Sequence, residues 1–235
     1  MKTMETKELN GKGKIVLGRD EIYVPHLGEV LAFRLPMTTP NSFYNVRLAI
    51  DKDMSLRPTT AQAFSLIYLA LQNPDDPDCK NILNGFKNYS FLTSTENLWG
   101  KKDVIVYDNV DGRMPSDRDS LLKRYRAGDK AVRVVKYGFR NEERSDRDFI
   151  KNPYVIAQVG DGAMLNVVSK ASIELGTDKF CIWGFSDPLG VLNKEDFQRN
   201  TVLRKWPYRG EFVLDGSENG ANVFSSGVRK TGRAA

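Results

Sequence analysis

The residues best suited to chemistry in this sequence are cations that cluster near its middle. They are Lys123, Arg124, Arg126, Lys130, Arg133, Lys136 and Arg140, with Tyr125 and Tyr137 among them. Cations beside aromatic rings can hold single-stranded nucleic acid, because the cations neutralise phosphates while bases stack on the rings. Acidic residues from Asp117 to Glu143 lie among them, so a solvated surface of mutual ion pairs is the alternative. We predict an anion-binding surface here.

A second pattern, Gly160-Asp161-Gly162, precedes a segment that we predict to be helical. Backbone N–H groups at a helix start can hold phosphate, which makes these residues candidates for a phosphate loop. The stretch lacks the Lys and Ser/Thr of a Walker loop and the third glycine of a dinucleotide-binding turn. A turn in which Asp161 caps the helix is the simpler interpretation. A helix-turn-helix would need a basic second helix, and Lys170 is the single cation there.

Residue counts limit the remaining chemistry. The one histidine, His26, excludes sites built from several histidines and leaves one candidate for a histidine general base. Cys79 and Cys181 are too few and too distant in sequence for a disulfide framework or a zinc site, so we expect two reduced thiols. We predict no bound metal and no cofactor.

The acidic residues form no recognisable catalytic pattern. Alignment of Gly112 with the invariant glycine of a calcium loop puts Arg118 at the bidentate position, so that match fails. Four acids lie near predicted strand ends, with no spacing that singles out a hydrolytic pair: Asp103, Asp108, Asp187 and Glu211. The Gly-x-Ser-x-Gly motif of serine hydrolases is also missing from the sequence.

Short apolar runs bounded by turn residues predict the strands that would position these groups. The predicted strands are 14–17, 21–24, 30–33, 44–50, 90–93, 104–107, 131–137, 179–185 and 212–214. Residues 153–159 suit either a helix or a buried strand. The strand-helix-strand order over 104–137 is compatible with a parallel crossover.

The clearest helix follows Pro58. Thr59 and Gln62 have the spacing of a capping box. The apolar residues at i, i+3, i+4 and i+7 are Phe64, Ile67, Tyr68 and Leu71. Further helices are predicted after Asp76-Pro77, from Ser116 to Gly128, and over 163–175. The fold class that we expect is α+β, with a mixed β-sheet packed against several α-helices in a single domain.

The charge distribution shapes the expected domain organisation. The net charge is +5, yet residues 1–14 carry four Lys against two Glu, and residues 199–235 carry seven Lys/Arg against three Asp/Glu. Residues 15–198 therefore carry almost no net charge, which disfavours a protein that binds nucleic acid over its whole surface. We expect a flexible segment over 1–14, one domain over 15–224 and a flexible basic tail over 225–235. With no apolar run long enough for a bilayer and no secretory signal, we expect a cytoplasmic protein without a membrane partner.

Four segments resemble a group of uncharacterised archaeal proteins of similar length. They are PTTAQAFSLIYLALQNPDD (58–76), LWGKKDVIVYDN (98–109), VRVVKYGF (132–139) and KNPYVIAQVGDGA (151–163). The resemblance spans the middle of the chain and implies an intracellular protein of archaeal or archaeal-mobile-element origin. The resemblance implies no activity, and it assigns no functional residue in this sequence.

Three classes of function fit these observations. The leading hypothesis is a non-enzymatic binding or regulatory protein with an anionic partner, with nucleic acid as one candidate. An enzyme acting on a small phosphorylated or nucleotide substrate is the rival, favoured by a pocket at 160–163 that contains an acid or His26. A structural or assembly protein would be favoured by exposed apolar surface around Trp99 and Trp206.

Overall fold

The computed structural model describes residues 6–16, 20–143, 145–175, 179–183, 196–206, 211–218 and 222–233. These residues form two β-sheets packed with α-helices, which confirms the predicted α+β fold class. The helices are α1 (Phe43–Lys52), α2 (Thr60–Leu71), α3 (Pro77–Asn88), α4 (Arg118–Arg126), α5 (Asp146–Phe149), α6 (Pro153–Val159) and α7 (Gly162–Glu174). A short 3₁₀ turn covers Asn10–Lys12.

The first sheet is antiparallel throughout and has the order β1-β2-β3-β4-β13. Its strands are β1 (Thr6–Glu8), β2 (Lys14–Val16), β3 (Glu21–His26), β4 (Glu29–Arg34) and β13 (Val228–Arg233). Because β13 pairs with β4, the end of the chain returns to its beginning. The flexible basic tail that the sequence predicts is thus, over 228–233, a paired strand in the structure.

The second sheet is mixed and has the order β7-β6-β5-β10-β11-β9-β8, with β12 beside β5. Its strands are β5 (Ser90–Trp99), β6 (Asp103–Asp108), β7 (Val132–Lys136), β8 (Glu142–Glu143), β9 (Lys179–Trp183), β10 (Phe197–Trp206), β11 (Glu211–Glu218) and β12 (Val223–Phe224). The pairs β9–β11 and β5–β12 are parallel, and the other pairs are antiparallel. Residues 184 and 185 of the predicted strand 179–185 lie outside the described residues.

Helix α2 is the centre of the hydrophobic core. Both hydrogen bonds of the predicted capping box are present between Thr59 and Gln62, so this prediction is confirmed. The helix packs against β3 of the first sheet, β5 and β10 of the second sheet, and α3 and α7. Phe64 is fully buried, and its ring centroid lies 5.6 Å from that of Phe212. The apolar stripe therefore joins both sheets.

Three predictions of local structure were wrong. The predicted strand 44–50 is helix α1, because Ser42 accepts a hydrogen bond from the Asn45 amide as N-cap, and Val46 and Ile50 share one buried helical face. Helix α4 is capped by Asp117, whose Oδ1 accepts from the Ser120 amide at 2.9 Å, and not by Ser116. The strands around α4 are not a parallel crossover, since β6 and β7 pair antiparallel.

Strand β5 carries polar residues through the middle of the second sheet. Residues 94–97 are buried, and both faces of the strand are hydrogen-bonded. On one face, Glu96 Oε1 accepts from Arg47 Nη2 at 2.6 Å. On the other face, Asn97 Oδ1 accepts from Tyr154 Oη at 2.8 Å and from Gln158 Nε2 at 2.7 Å. Since Tyr154 and Gln158 belong to α6, Asn97 docks this helix on the sheet.

None of the helices in the described ranges is long and apolar enough to cross a bilayer.

Candidate anion-binding cavity

A cavity of about 790 Å³ opens at the edge of the second sheet. Its walls are the edge strand β7, the segment 137–140 that follows it, and helix α6. Arg133, Lys136 and Arg140 of the predicted cationic stretch line it together with Gly160 of the predicted phosphate loop. The structure therefore brings parts of the two sequence patterns into one space.

Local sequence explains how α6 closes this cavity. Asn152 Oδ1 accepts a hydrogen bond from the Tyr154 amide at 3.0 Å, and Pro153 occupies the first helical turn. The undecided segment 153–159 is therefore a helix. It ends at Gly160, whose φ of 69° is the left-handed conformation that glycine adopts without strain. This early end leaves Gly160 beside the Arg133 guanidinium.

Arg133 is held by the protein itself. Its Nη1 lies 2.5 Å from Asp108 Oδ2, and its Nε donates to the Ala157 carbonyl at 2.7 Å. Nη1 also donates to the Lys130 carbonyl at 3.1 Å. Three of its five N–H groups are thus used internally, so Arg133 shapes the cavity, while Nη2 is buried with no partner among the described residues.

Three other lining cations are available. Within the described part of the chain, the side chains of Lys136, Arg140 and Lys151 make no hydrogen bond or ion pair. All three are exposed. An anion in the cavity would therefore meet ammonium and guanidinium groups that do not have to release a protein partner first.

Aromatic rings form the apolar part of the cavity lining. Phe139 is buried and stacks on Tyr154, with ring centroids 4.8 Å apart. Tyr137 stacks on Trp99 at 6.3 Å, and its hydroxyl donates to the Gly100 carbonyl at 2.5 Å. Burial is the main cause that raises the pKa of Tyr137 to about 12, so this phenol stays neutral at physiological pH. These contacts hold Tyr137 and Phe139 in fixed orientations.

Two carboxylates also line the cavity. Glu143 is buried and accepts a hydrogen bond from Asn152 Nδ2 at 3.2 Å. Asp148 is exposed and accepts from Ser145 Oγ at 2.8 Å. Because Arg133 is paired with Asp108, the balance of the lining is set by Lys136, Arg140 and Lys151 against these two acids, which is an excess of positive charge.

The other cations of the predicted stretch lie outside the cavity. Lys123, Arg124 and Arg126 are exposed on α4, and Lys130 is exposed in the turn after it. Arg124 pairs with Asp129 at 2.7 Å, which matches the mutual ion pairing considered as the alternative. Tyr125, by contrast, lies at the cavity.

Asp161 and Gly162 begin helix α7. Asp161 Oδ1 accepts from the Ala163 amide at 2.8 Å, so the cap interpretation of this residue is confirmed. Its carboxylate occupies the helix start, where a phosphate would otherwise accept the same N–H groups. Gly160 is the member of the predicted loop that lines the cavity.

His26 does not line the cavity. Its Nδ1 lies 2.9 Å from Ser65 Oγ, on the side of α2 that faces β3. Burial lowers the pKa of His26 below its ordinary value.

Burial raises the pKa of the Cys79 thiol to about 12, which keeps this buried cysteine protonated and unreactive. The described residues hold no cluster of three or more metal-ligating side chains.

Sequence reasoning missed Lys151, Phe139 and Ile156 as lining residues. The signal for Lys151 is its position directly before Asn152-Pro153, a helix start that places this residue near the strand edge. Of the two tryptophans named for an assembly role, Trp99 is fully buried and offers no exposed apolar surface, and the side chain of Trp206 lies outside what the structure describes.

Comparison with known proteins gives one informative likeness. No protein-family model matches the chain, and no curated protein matches it in sequence. One solved structure matches with a TM-score of 0.52, and its description reads "Accommodation of massive sequence variation in Nanoarchaeota by the C-type lectin fold". The match covers 82% of this chain and 95% of the other, at 12% sequence identity. At this identity the likeness shows a similar fold alone.

Proposed function

We propose that this chain is a non-enzymatic binding protein whose cavity holds single-stranded nucleic acid through a phosphate and a stacked base. The observation that carries the proposal is the meeting, in one open cavity, of three cations that have no partner among the described residues with the rings of exposed Tyr125 and half-buried Tyr137. Cations supply attraction for phosphate, and rings supply a stacking surface for bases of any sequence. The proposal includes a cytoplasmic location, where nucleic acid is abundant.

The charge arrangement supports binding at this cavity over binding along the whole surface. Lys136, Arg140 and Lys151 come from three different parts of the chain, the end of β7, the segment after it and the turn before α6. Of the α4 cations, Arg124 is already neutralised by Asp129, and Lys123 and Arg126 lie outside the cavity. We therefore expect about three phosphate contacts at most, and a modest affinity that falls steeply with salt.

The structural neighbour supports a binding role. Its fold is described as accommodating massive sequence variation. A scaffold that keeps its fold while surface residues vary suits presentation of a binding surface more than a conserved reaction centre. Its source in Nanoarchaeota also agrees with the archaeal origin that the sequence resemblance implies.

Fluorescence anisotropy with a labelled eight-residue oligothymidylate tests the proposal. We expect binding at low ionic strength, with a slope of log affinity against log salt of roughly −2, from about 0.7 per phosphate for single strands. Lys136→Glu and Lys151→Glu should each weaken binding at least tenfold and make the slope shallower.

Lys123→Glu is the matched control, because Lys123 is an exposed cation outside the cavity. It should change the affinity less than threefold. Equal losses in all three variants would point to diffuse surface attraction. Absence of oligonucleotide binding at low salt would refute the proposal.

One observation favours the enzyme alternative. The cavity reaches Gly160 and contains the acids Glu143 and Asp148, the kind of pocket that such an enzyme would need, although His26 is absent from it. Phosphorus NMR of the chain with nucleoside monophosphates distinguishes an enzyme from a binding protein. Phosphate release that Glu143→Gln abolishes would establish an enzyme, and intact nucleotides with shifted signals would support binding.

A further inference from the structure

A second, smaller cavity is separate from the first. It measures about 250 Å³ and is bounded by α3, the segment 35–40 after β4, and Phe224 of β12. None of its lining residues is shared with the anion-binding cavity. Its chemistry can therefore be considered independently of the proposed function.

Helix α3 provides one wall through a regular stripe. Asp78, Asn81, Ile82 and Gly85 are spaced at i, i+3, i+4 and i+7, and thus share one helical face. Gly85 is required here, because a Cβ at this position would lie 2.7 Å from the Phe224 ring. The missing side chain lets that ring approach the helix and form the base of the cavity.

The opposite wall is fixed by backbone pairing. The Thr38 amide donates to the Ser225 carbonyl at 2.9 Å, and the Ser225 amide donates to Thr38 Oγ1 at 2.9 Å. Asn41 and Val223 exchange two further backbone hydrogen bonds, at 2.9 and 3.0 Å. The segment 35–40 is therefore held in place beside α3, and the cavity is already formed without a ligand.

Asp78 is the chemically distinctive residue of the lining. Its carboxylate is partly buried and makes no hydrogen bond or ion pair with the described part of the chain. The neighbouring Asp76 is different, since it accepts hydrogen bonds from Lys7 and from the amides of Asp78 and Cys79. Burial, followed by the charge of Asp76, raises the pKa of Asp78 above its ordinary value.

The rest of the lining is mainly apolar. Leu35, Met37, Ile82 and Phe224 lie around the cavity, and Tyr89 is 41% exposed at its border. An apolar cavity of about 150 Å³ holds a benzene molecule, so the present volume accommodates one ring with a short arm. A cation on that arm would compensate the unpaired carboxylate and could also interact with an aromatic ring.

We propose that this cavity binds a small organic ammonium compound, its ring among the apolar residues and its ammonium group on the Asp78 carboxylate. A neutral ligand of the same shape would bury the carboxylate without a partner, which is unfavourable. An anionic ligand would be repelled. The selection is thus opposite in sign to that of the first cavity.

Isothermal titration of the full chain with 2-phenylethylamine and with 2-phenylethanol tests the proposal. The two probes have nearly the same shape and differ in charge. We expect the amine to bind about tenfold more tightly than the alcohol, as a charge-assisted hydrogen bond to a partly buried carboxylate supports. Equal affinities, or no detectable binding of the amine at millimolar concentration, would overturn the proposal.

Matched variants locate the site. Asp78→Asn should bring the amine within threefold of the alcohol, while Asp75→Asn, a neighbouring exposed acid outside the cavity, should leave the ratio unchanged. Asn81→Trp should fill the cavity and abolish binding of both probes, while Asn84→Trp, exposed on the same helix, should not. Thermal unfolding of each variant verifies that it is folded. Amine binding that survives Asn81→Trp would place the site elsewhere and contradict the proposal.

Discussion

The guanidinium of Arg133 lies 2.5 Å from the carboxylate of Asp108, measured between Nη1 and Oδ2. The side chains are only 16% and 19% exposed. Asp108 also accepts from Thr95 Oγ1 at 2.7 Å, and Arg133 donates to the Ala157 carbonyl. The Arg133–Asp108 pair thereby joins β5, β6 and β7 of the sheet to α6. The walls of the cavity therefore depend on Arg133 as a structural residue.

Asp108→Asn should destabilise the protein, because it leaves the Arg133 charge largely buried without its partner. We expect the free energy of unfolding to fall by about 2–3 kcal/mol, below the roughly 3–5 kcal/mol of a fully buried pair. Urea unfolding followed by tryptophan fluorescence measures this change.

Three further variants isolate the ion pair: Asp111→Asn, Arg133→Met and the double variant. Asp111→Asn, at an exposed acid nearby, should alter stability by less than about 0.5 kcal/mol. The double variant Arg133→Met with Asp108→Asn should lose less stability than the two single losses together, because the second substitution removes the charge left unpaired by the first. Strictly additive losses would show that the two side chains are not coupled.

Gly160→Ala should destabilise the protein, whereas Gly162→Ala should not. Gly160 has a φ of 69°, and a Cβ there would lie 3.2 Å from Arg133 Nη1. Gly162 is helical, and a Cβ added to it would have no atom within 4 Å. We expect a loss of about 1–2 kcal/mol at Gly160 and a neutral or slightly stabilising effect at Gly162. Thermal unfolding measures both, and equal losses would contradict this explanation.

Much of the fold was predictable, because strong local signals agreed with the tertiary structure. The capping box at Thr59 and the apolar stripe after it define α2 without reference to any other part of the chain. The segment 44–50 was misassigned because its apolar residues suit a strand, and the decisive signal was the Ser42 cap. Strand β5 is longer than the sequence predicts, since the charge of Glu96 is tolerable in the sheet because of Arg47 and Gln198, which are both distant in sequence.

The candidate site was predictable in part. A concentration of cations indicated the region, and Arg133, Lys136 and Arg140 do lie at the cavity. The division between these residues and those on α4 could not be predicted, because it depends on how α6 packs against β7. Asn97 fixes that packing from β5, and the sequence alone gives no indication of this long-range contact.

The half-buried imidazole of His26 should make the protein less stable in mild acid. Burial is the main cause that lowers its pKa below 6.5, with Lys230 acting in the same direction and Glu29 and Asp161 opposing it. The unfolded state therefore binds the proton more readily, and stability falls as the pH drops below 6.5 towards the folded-state pKa. Because the chain has one histidine, a single imidazole NMR signal should report that pKa directly.

His26→Gln is the companion measurement. It removes the titrating group, so the free energy of unfolding should depend less on pH between about 5 and 7 than in the parent chain. A folded-state pKa at or above 6.5, or an unchanged pH dependence in the variant, would show that burial does not control this histidine.

The last prediction concerns the strand formed near the end of the chain. Arg229 of β13 makes a bidentate pair with Glu21 of β3, at 2.8 and 2.6 Å, across the intervening strand β4. Hydrogen bonding from Arg229 is the main cause that lowers the pKa of Glu21. A lowered carboxyl pKa contributes stability above the ordinary value of 4.5, and this contribution is lost as the pH falls through the folded-state pKa.

Arg229→Met should therefore reduce stability at pH 7 by about 1 kcal/mol, a value limited by the exposure of the arginine, and should make the loss of stability below pH 4.5 shallower. Urea unfolding at pH 7 and at several values between about 3 and 5 tests both effects. Lys230→Met is the control, because Lys230 pairs with Glu29 at an exposed position and should matter less than Arg229. If Arg229→Met matched the parent chain at every pH, the Arg229–Glu21 pair would carry no free energy, and β13 would be held by its backbone pairing with β4 and by buried Val228.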